Sequence, residues 1–247
     1  MLGLVLPTSK SALLKTFTFE NCRELFSIKD NKQATLSFIE DFFITNDLHI
    51  LEKLYCLLHL RDLCIGNMIE LKDCSFDIIQ IQNEIEEINN IKKTINFNGN
   101  IITLDYPKSF TLSTIYEDCF IQTVILDKES VDYNTLSIDE QNLIFNYLPS
   151  DVKSEIKEFY KQHISKLKIE FSLRGKKQIL NLDSSQALDF IAAILTPINC
   201  RTYRDYIFIL SKRIKDVTFL NQSTYLDIRD YMELYLKEAK ENKSGVE

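Results

Sequence analysis

The sequence has few of the residues that interrupt regular structure. Its 247 residues include five glycines, four prolines and no tryptophan, whereas 45% of the residues are hydrophobic and 26% are charged. This composition is typical of an ordinary globular chain with enough apolar material for a sizeable core. We therefore expect one domain or two tightly packed halves.

An excess of positive charge and a long hydrophobic run are also missing. The formal net charge is −7, and Lys and Arg are scattered rather than arranged in a stripe. Nucleic acid is therefore not an expected partner. No apolar run reaches the roughly 18 to 20 residues that a membrane span needs, so no membrane partner is expected either. The amino-terminal MLGLVLP is short and lacks the basic flank of a secretory signal.

The cysteines do not form the spacing of a disulfide framework, and reduced thiols in a cytosol are expected. The six are Cys22, Cys56, Cys64, Cys74, Cys119 and Cys200. Motifs for catalysis are lacking too, because there is no glycine-rich phosphate loop, nucleophile elbow or paired-histidine zinc motif. The sequence therefore predicts no catalytic residue and no cofactor, and nothing in it supports an enzyme.

The chain is organised around the stretch Leu48–Leu71, LHILEKLYCLLHLRDLCIGNMIEL. Its apolar residues recur at three-and-four spacing and occupy most of the helical circumference, which predicts a central helix buried on more than one side. Gly66 suits the left-handed residue that ends a helix, since it has no Cβ to clash. The residues 68–71 then read as a short strand.

The residues before this helix predict one strand and two helices. Thr16 to Phe19 alternates polar and apolar residues, as a short strand does. Asn21 is the expected cap of the next helix, with Glu24 completing a capping box. A second helix is expected over residues 33–43.

The residues after Gly66 favour extended structure first. Residues 76–82 fit both a strand and a helix, and we favour the strand because a clear hairpin follows. That hairpin is expected around Asn98-Gly99, between 93–97 and 101–105.

Helices and a second hairpin are predicted for the remainder. A helix is expected over residues 112–126. Ser137 and Glu140 form a capping-box pattern that opens the next helix, and Ser150 or Asp151 is the expected cap of the one after it. The strict alternation from Leu167 predicts a second hairpin through residue 182, and three C-terminal helices follow over 184–195, 201–215 and 223–240.

The fold class that these patterns predict is α+β, mostly helical, with two small antiparallel β-hairpin modules. A single globular unit, residues 1–247, is divided into an N-terminal strand and helices (15–66), a first β module (67–110), helices (111–165), a second β hairpin (166–183), C-terminal helices (184–240) and a frayed tail (241–247).

Four residues around Gly66 are candidate metal ligands, because cysteine and histidine bind zinc; they are Cys56, His59, Cys64 and Cys74. Their spacing argues against a metal site, since the chain has no C-x-x-C pair and two of the four lie among leucines of the central helix. Buried thiols and a core or boundary histidine are favoured, and no metal is predicted. A metal- or thiol-dependent enzyme, which would need the four to converge, is the second alternative function.

A candidate protein interface lies near the carboxyl end, in the segment RTYRDY. It concentrates tyrosine and arginine, the residue types that anchor interfaces. The candidate residues are Arg201, Tyr203, Arg204 and Tyr206. The alternative is that the two tyrosines pack at the edge of the core while the arginines pair with nearby acids.

Four stretches of the chain, between about residues 6 and 191, resemble the baseplate hub assembly proteins of T4-like contractile-tailed bacteriophages. They are LPTSKSALLKTFTFENCRELF, HLRDLCIGNMIELK, the hairpin leading to LDYPKSF, and the run from LSIDEQNLIFNYLPSDV through KIEFSLRGKKQILNLDSSQALDFI. Relatives carry cysteine pairs that look like zinc ribbons in both β modules. Here only Cys74 is retained, so the resemblance implies no metal site.

The resemblance implies a non-enzymatic, chaperone-like tail assembly factor that binds baseplate hub proteins in the cytoplasm of the host cell while the hub forms. A factor of this kind stabilises one state of its partner in proportion to its differential affinity. The size and the long C-terminal helical part favour the assembly-catalyst branch of the family. The alternative is a permanent structural subunit of the hub, which would be retained in the virion baseplate.

Overall fold

A computed structural model describes residues 1–71, 74–86, 91–126, 128–173, 175–196, 200–214 and 216–244. For residues 70, 71, 74–76, 86, 200–204 and 240–244 the description covers the backbone alone. The described residues are mostly helical and carry small antiparallel sheets, which confirms the predicted α+β class.

Ten α-helices and ten strands, with three short 3-10 helices between them, follow one another in the described residues. The helices are α1 (Phe19–Ile28), α2 (Lys32–Glu40), α3 (Ile50–Cys64), α4 (Ile79–Glu86), α5 (Ile138–Tyr147), α6 (Ser150–His163), α7 (Gln186–Leu195), α8 (Cys200–Ser211), α9 (Val217–Gln222) and α10 (Tyr225–Ser244). The strands are β1 (Leu2–Val5), β2 (Ser11–Leu14), β3 (Met68–Leu71), β4 (Cys74–Asp77), β5 (Lys93–Phe97), β6 (Asn100–Leu104), β7 (Ile121–Leu126), β8 (Glu129–Asp132), β9 (Lys168–Leu173) and β10 (Lys176–Asn181).

The central helix is α3, and its predicted burial on several sides is confirmed. Twelve of its fifteen residues are buried, including the charged Glu52, Lys53 and Arg61. The helix ends where predicted, because Gly66 has a φ of +112° and its N–H donates to the Arg61 carbonyl at 2.9 Å. The main hydrophobic core is built around this helix.

The strands form four antiparallel sheets within the described residues. Three are two-stranded, β1–β2, β3–β4 and β9–β10, and one has the order β5–β6–β7–β8. The predicted hairpin at Asn98-Gly99 is confirmed, since both residues have positive φ and Phe97 pairs with Asn100. The second predicted hairpin is confirmed as β9–β10.

The helix predicted over residues 112–126 is wrong. Residues 121–126 are instead β7, which pairs with β6 on one side and β8 on the other. The apolar residues of this stretch fit either period, and pairing with β6 satisfies their backbone while burying Ile121 and Val124. The sheet therefore extends beyond residue 110, where the first β module was predicted to end.

The strand favoured for residues 76–82 is also wrong for most of its length. The stretch from Ile79 is α4, and Ile78, Ile81 and Ile85 are buried along it. The three-and-four spacing of these isoleucines is that of a helix, which is the alternative that the sequence pattern left open for residues 76–82.

Two predictions at helix starts are corrected. Thr16 to Phe19 does not form a strand, because Thr18 is the cap of α1 and Asn21, which was expected to be the cap, is its capping-box partner. Helix α6 is preceded by Pro149, so neither Ser150 nor Asp151 is its cap.

The C-terminal helices enclose a second, smaller core. It consists of Phe19, Leu210, Leu220, Ile228 and Met232, which come from α1 and α8–α10. The short helix α9, capped by Asp216, was not predicted. Helix α10 continues to Ser244, past the point from which the tail was expected to fray.

Replacing Gly66 with alanine should lower the free energy of unfolding by about 1–2 kcal/mol, because an alanine side chain disfavours positive φ. The nearest atom to a Cβ at this site is Leu226 Cδ2 at 4.0 Å, so the cost comes from the backbone and not from a clash. Urea denaturation of the parent and the variant measures this difference in the free energy of unfolding.

The matched control is Gly3→Ala, where a Cβ would meet nothing within 4 Å. That variant should stay within about 0.5 kcal/mol of the parent. Equal effects of the two substitutions would contradict the assignment of the cost to φ.

Candidate functional site

The surface around α5 is the first candidate site. The helix begins where predicted, at a capping box in which the Ser137 N–H donates to Glu140 Oε2 at 2.8 Å and the Glu140 N–H donates to Ser137 Oγ at 3.3 Å. The Ser137 hydroxyl also donates to Glu140 Oε2, at 2.7 Å, and the donations from this hydroxyl and from the Ser137 N–H lower the pKa of Glu140. The capping box satisfies N–H groups of the first turn and thereby fixes the residue at which the helix begins.

Helix α5 buries none of its own residues. Three large apolar side chains are instead exposed on it, with Ile138 at 75%, Leu143 at 57% and Tyr147 at 82%. A helix of a globular protein normally turns its apolar residues towards the core. On α5, Ile144 and Phe145 do so and are half-buried against the main core. Leu143 and Tyr147 are one turn apart and share an exposed face, as in an interaction surface, whereas Ile138 lies on the opposite side of the helix.

An apolar groove lies between α5 and the four-stranded sheet. Its volume is about 360 Å³. We call it the α5 groove, and it is lined by Phe97, Asn98, Asn100, Leu126, Leu143, Ile144, Tyr147, Leu148 and Pro149. Strand and helix residues that are far apart in the chain therefore form one apolar surface, with an exposed tyrosine at its side.

The interface predicted near the carboxyl end lies on α8. The backbone of Arg201, Tyr203 and Arg204 is helical, and their side chains lie outside the described ones. Tyr206 is half-buried and packs against the second core. Two residues further along the helix Phe208 is exposed, with Lys212 Nζ 4.8 Å from its ring centroid. The structure thus adds an exposed aromatic ring to this candidate surface, which stays a prediction.

The structure describes the side chains of three of the four candidate metal ligands, Cys56, His59 and Cys64. Cys56 and Cys64 are buried, and the side chain of Cys74 lies outside the described ones. The His59 ring packs edge-on against Tyr55, with 4.4 Å between centroids. In the described part of the chain, no three His, Cys, Asp or Glu side chains come together as metal ligands would.

Burial decides the chemistry of these thiols. It raises the pKa of Cys56 to about 12, with a further contribution from the Glu52 carboxylate, and it also raises the pKa of Cys64. A thiol with so high a pKa is protonated at neutral pH, and the thiolate is the nucleophilic form.

A polar cavity of about 320 Å³ lies at the amino end of α3, and the sequence reasoning missed it. The buried Glu52 carboxylate accepts hydrogen bonds from Thr8 Oγ1 at 2.5 Å, Lys10 Nζ at 3.1 Å and the His49 N–H at 3.1 Å. The sequence feature that could have indicated this cavity is Glu52, three residues after His49, because that spacing is typical of a capping box at the start of a helix. The cavity charges neutralise one another, because Lys108 similarly pairs with Asp47.

Helices that could cross a lipid bilayer, by length and apolar character, are not found among the described residues.

No known protein family, curated protein or solved structure matches the chain. The resemblance to the hub assembly proteins therefore stays a prediction.

The His49 side chain should make stability depend on pH. Burial lowers the pKa of His49, against the opposing effects of Glu52, Asp105 and Asp47 and together with Lys10. The unfolded chain then binds the proton more readily, so stability falls as the pH drops below about 6.5. The loss is at most about 1.4 kcal/mol per pH unit.

The variant His49→Asn tests this, because asparagine can cap α3 in the same way and does not titrate. Burial also lowers the pKa of His163, so some dependence will remain. Denaturation between about pH 5 and 8 should show a shallower slope for the variant. Parallel curves for the two proteins would contradict the role of His49.

Proposed function

We propose that the protein is a non-enzymatic assembly factor, chaperone-like in action, that binds baseplate hub proteins of a contractile-tailed bacteriophage through the α5 groove. The observation that supports it best is α5 itself, which fully buries none of its residues while exposing Leu143 and Tyr147 in an apolar groove. Binding of this kind depends on a surface and requires no reactive group.

The position of α5 in the sequence links this surface to the resemblance. The stretch LSIDEQNLIFNYLPSDV, one of the four that resemble the hub assembly proteins, comprises residues 136–152. It forms the capping box, the whole of α5, and the proline that lines the end of the groove. Five of the nine residues that line the groove therefore lie in a stretch that suggests the family.

The groove has the composition of an interface centre. Tyrosine anchors and a desolvated apolar patch carry most of the binding energy in protein complexes, while the polar rim excludes water. Here Tyr147 and Leu143 would be the anchors, and Asn98 and Asn100 at the hairpin end supply polar groups at the rim. A hub protein that buries this patch in one conformation alone would be stabilised in that conformation.

The double variant Leu143→Ala/Tyr147→Ala should weaken partner binding by at least about 1–2 kcal/mol, which is about 5- to 30-fold in affinity. The fold should change little, since both side chains are more than half exposed. Binding of the purified variant to a purified hub protein, measured by calorimetry, gives the affinity.

Phe26→Ala is the matched control, because Phe26 is an exposed aromatic residue on α1 and does not line the groove. It should bind like the parent. Equal weakening in both variants, or none in the groove variant, would remove the α5 groove from the proposal.

The α8 surface requires its own variant. If Tyr203 and Arg204 belong to the interface, the double substitution Tyr203→Ala/Arg204→Ala should lower partner affinity by at least about 1–2 kcal/mol with near-native stability. A large loss of stability together with unchanged affinity would instead mean that these residues pack at the core edge. The same calorimetric assay and a urea titration separate the two.

The function itself is tested by an affinity pull-down of the tagged protein from phage-infected cells, with mass spectrometry of the captured proteins and of finished virions. Capture of hub proteins, together with absence from virions, is expected for a transient assembly factor. Capture together with presence in virions would identify a permanent structural subunit. Capture of no tail protein would overturn the proposal.

A further inference from the structure

Strand β1 is an open sheet edge without charge. It pairs with β2 alone among the described strands, and its sequence LGLV contains no charged residue and no proline. Its partner β2 (SALL) is also uncharged but is bridged to Phe43 on its far side, whereas the edge strands of the other three sheets each contain at least one charged residue, for example Lys93 in β5 and Glu129 in β8. Charge on an edge strand is a common protection against pairing with another chain, and β1 lacks it.

The hydrogen bonds of the hairpin show which main-chain groups of β1 point outward. The Leu13 carbonyl accepts from the Ile44 N–H at 2.9 Å, on the side of β2 away from β1. Gly3, which is opposite Leu13, therefore lies in a non-hydrogen-bonded pair of the hairpin. By the two-residue alternation of an antiparallel ladder, the N–H and C=O of Gly3 and Val5 both face outward.

The outward face of the same strand is apolar. The Val5 side chain is 75% exposed, and Leu13 and Ile44 are exposed beside it on the neighbouring chain segments. Gly3 leaves a gap in this face, since a Cβ built there would meet nothing within 4 Å. An added strand could therefore place a side chain in the gap beside Leu13.

The strand complements a second copy of itself. If two β1 strands pair antiparallel about a two-fold axis at Leu4, Gly3 of one copy lies opposite Val5 of the other. These are the residues whose main-chain groups face outward, so each pair can exchange two hydrogen bonds. The valine of each copy then fills the gap at the glycine of the other, and no like charges meet.

From this self-complementarity we infer that the protein forms a two-fold dimer in which β1 pairs with β1 of a second copy. The result is a continuous sheet in the order β2–β1–β1–β2 with a closed point symmetry. The inference goes beyond the proposed function, because it does not depend on what the α5 groove binds. A four-residue edge buries little surface, so the dimer is weak and concentration-dependent.

Sedimentation equilibrium of the full chain, at protein concentrations up to about 1 mM, tests the inference. The average mass of the parent protein should rise with increasing concentration, from the mass of one chain towards the mass of two. Val5→Pro removes one outward N–H and leaves the β1–β2 ladder intact, since proline is tolerated at such edge positions. It should remain at the mass of one chain, whereas the control Val5→Thr, which keeps the N–H and the branched shape, should associate like the parent.

A second variant protects the test against misfolding of the first. Val5→Lys brings like charges to the pairing edge and should also give the mass of one chain. The pairing register is tested by Leu4→Cys, because the two Leu4 residues meet at the two-fold axis. Oxidation should link two chains of this variant through that cysteine, as mapped by peptide mass spectrometry.

Three outcomes would overturn the inference. They are the mass of one chain at every concentration for the parent, association of Val5→Pro to the same extent as the parent, and a mass that grows beyond two chains. Pull-down of hub proteins is independent of all three, so failure of the dimer and failure of the proposed function are distinguishable.

Discussion

The burial of α3 on nearly all sides is the constraint on which the rest of the structure depends. A helix at the centre of a domain must also bury its charged side chains, and each buried charge needs a partner. Glu52 finds Thr8 and Lys10 on the N-terminal hairpin. Lys53 pairs with Glu40 beside the Phe43 ring. The charges of one helix thereby fix the positions of the first hairpin and α2.

Arg61 extends the same principle to the other end of α3. Burial lowers the pKa of its guanidinium to about 10, and the group donates to the carbonyls of Ile194 at 2.5 Å and Met68 at 2.7 Å. These two carbonyls belong to the end of α7 and the start of β3. The turn at Gly66 is therefore held by one side chain that reaches across 133 residues of sequence. Gly66 permits the turn, and Arg61 ties it to the C-terminal half.

The distribution of apolar surface follows from this arrangement. Elements at the rim of the main core keep part of their apolar surface exposed, and α5 is one of them, because Ile144 and Phe145 pack against that core while Leu143 and Tyr147 stay exposed. The β1 edge is open for a different reason, since β2 is bridged to Phe43 on its far side and leaves β1 as the outer strand. Both proposals therefore concern the exposed sides of elements that pack against the main core with their other sides, β1 through Leu2 and Leu4 and α5 through Ile144 and Phe145.

The sequence by itself determined those elements whose local pattern fits only one kind of secondary structure. The burial of α3, the end of it at Gly66, the Asn98-Gly99 hairpin and the Ser137–Glu140 capping box all follow from spacing and from the backbone freedom of particular residues. Only tertiary structure decided β7 and α4, because their apolar residues fit two periods and the available partner, a sheet edge or a core face, selects one. The α5 groove belongs to the same class. The exposure of a side chain depends on what packs against it, so the sequence by itself shows a helix that begins at a capping box, and the fold alone decides that Leu143 and Tyr147 stay uncovered.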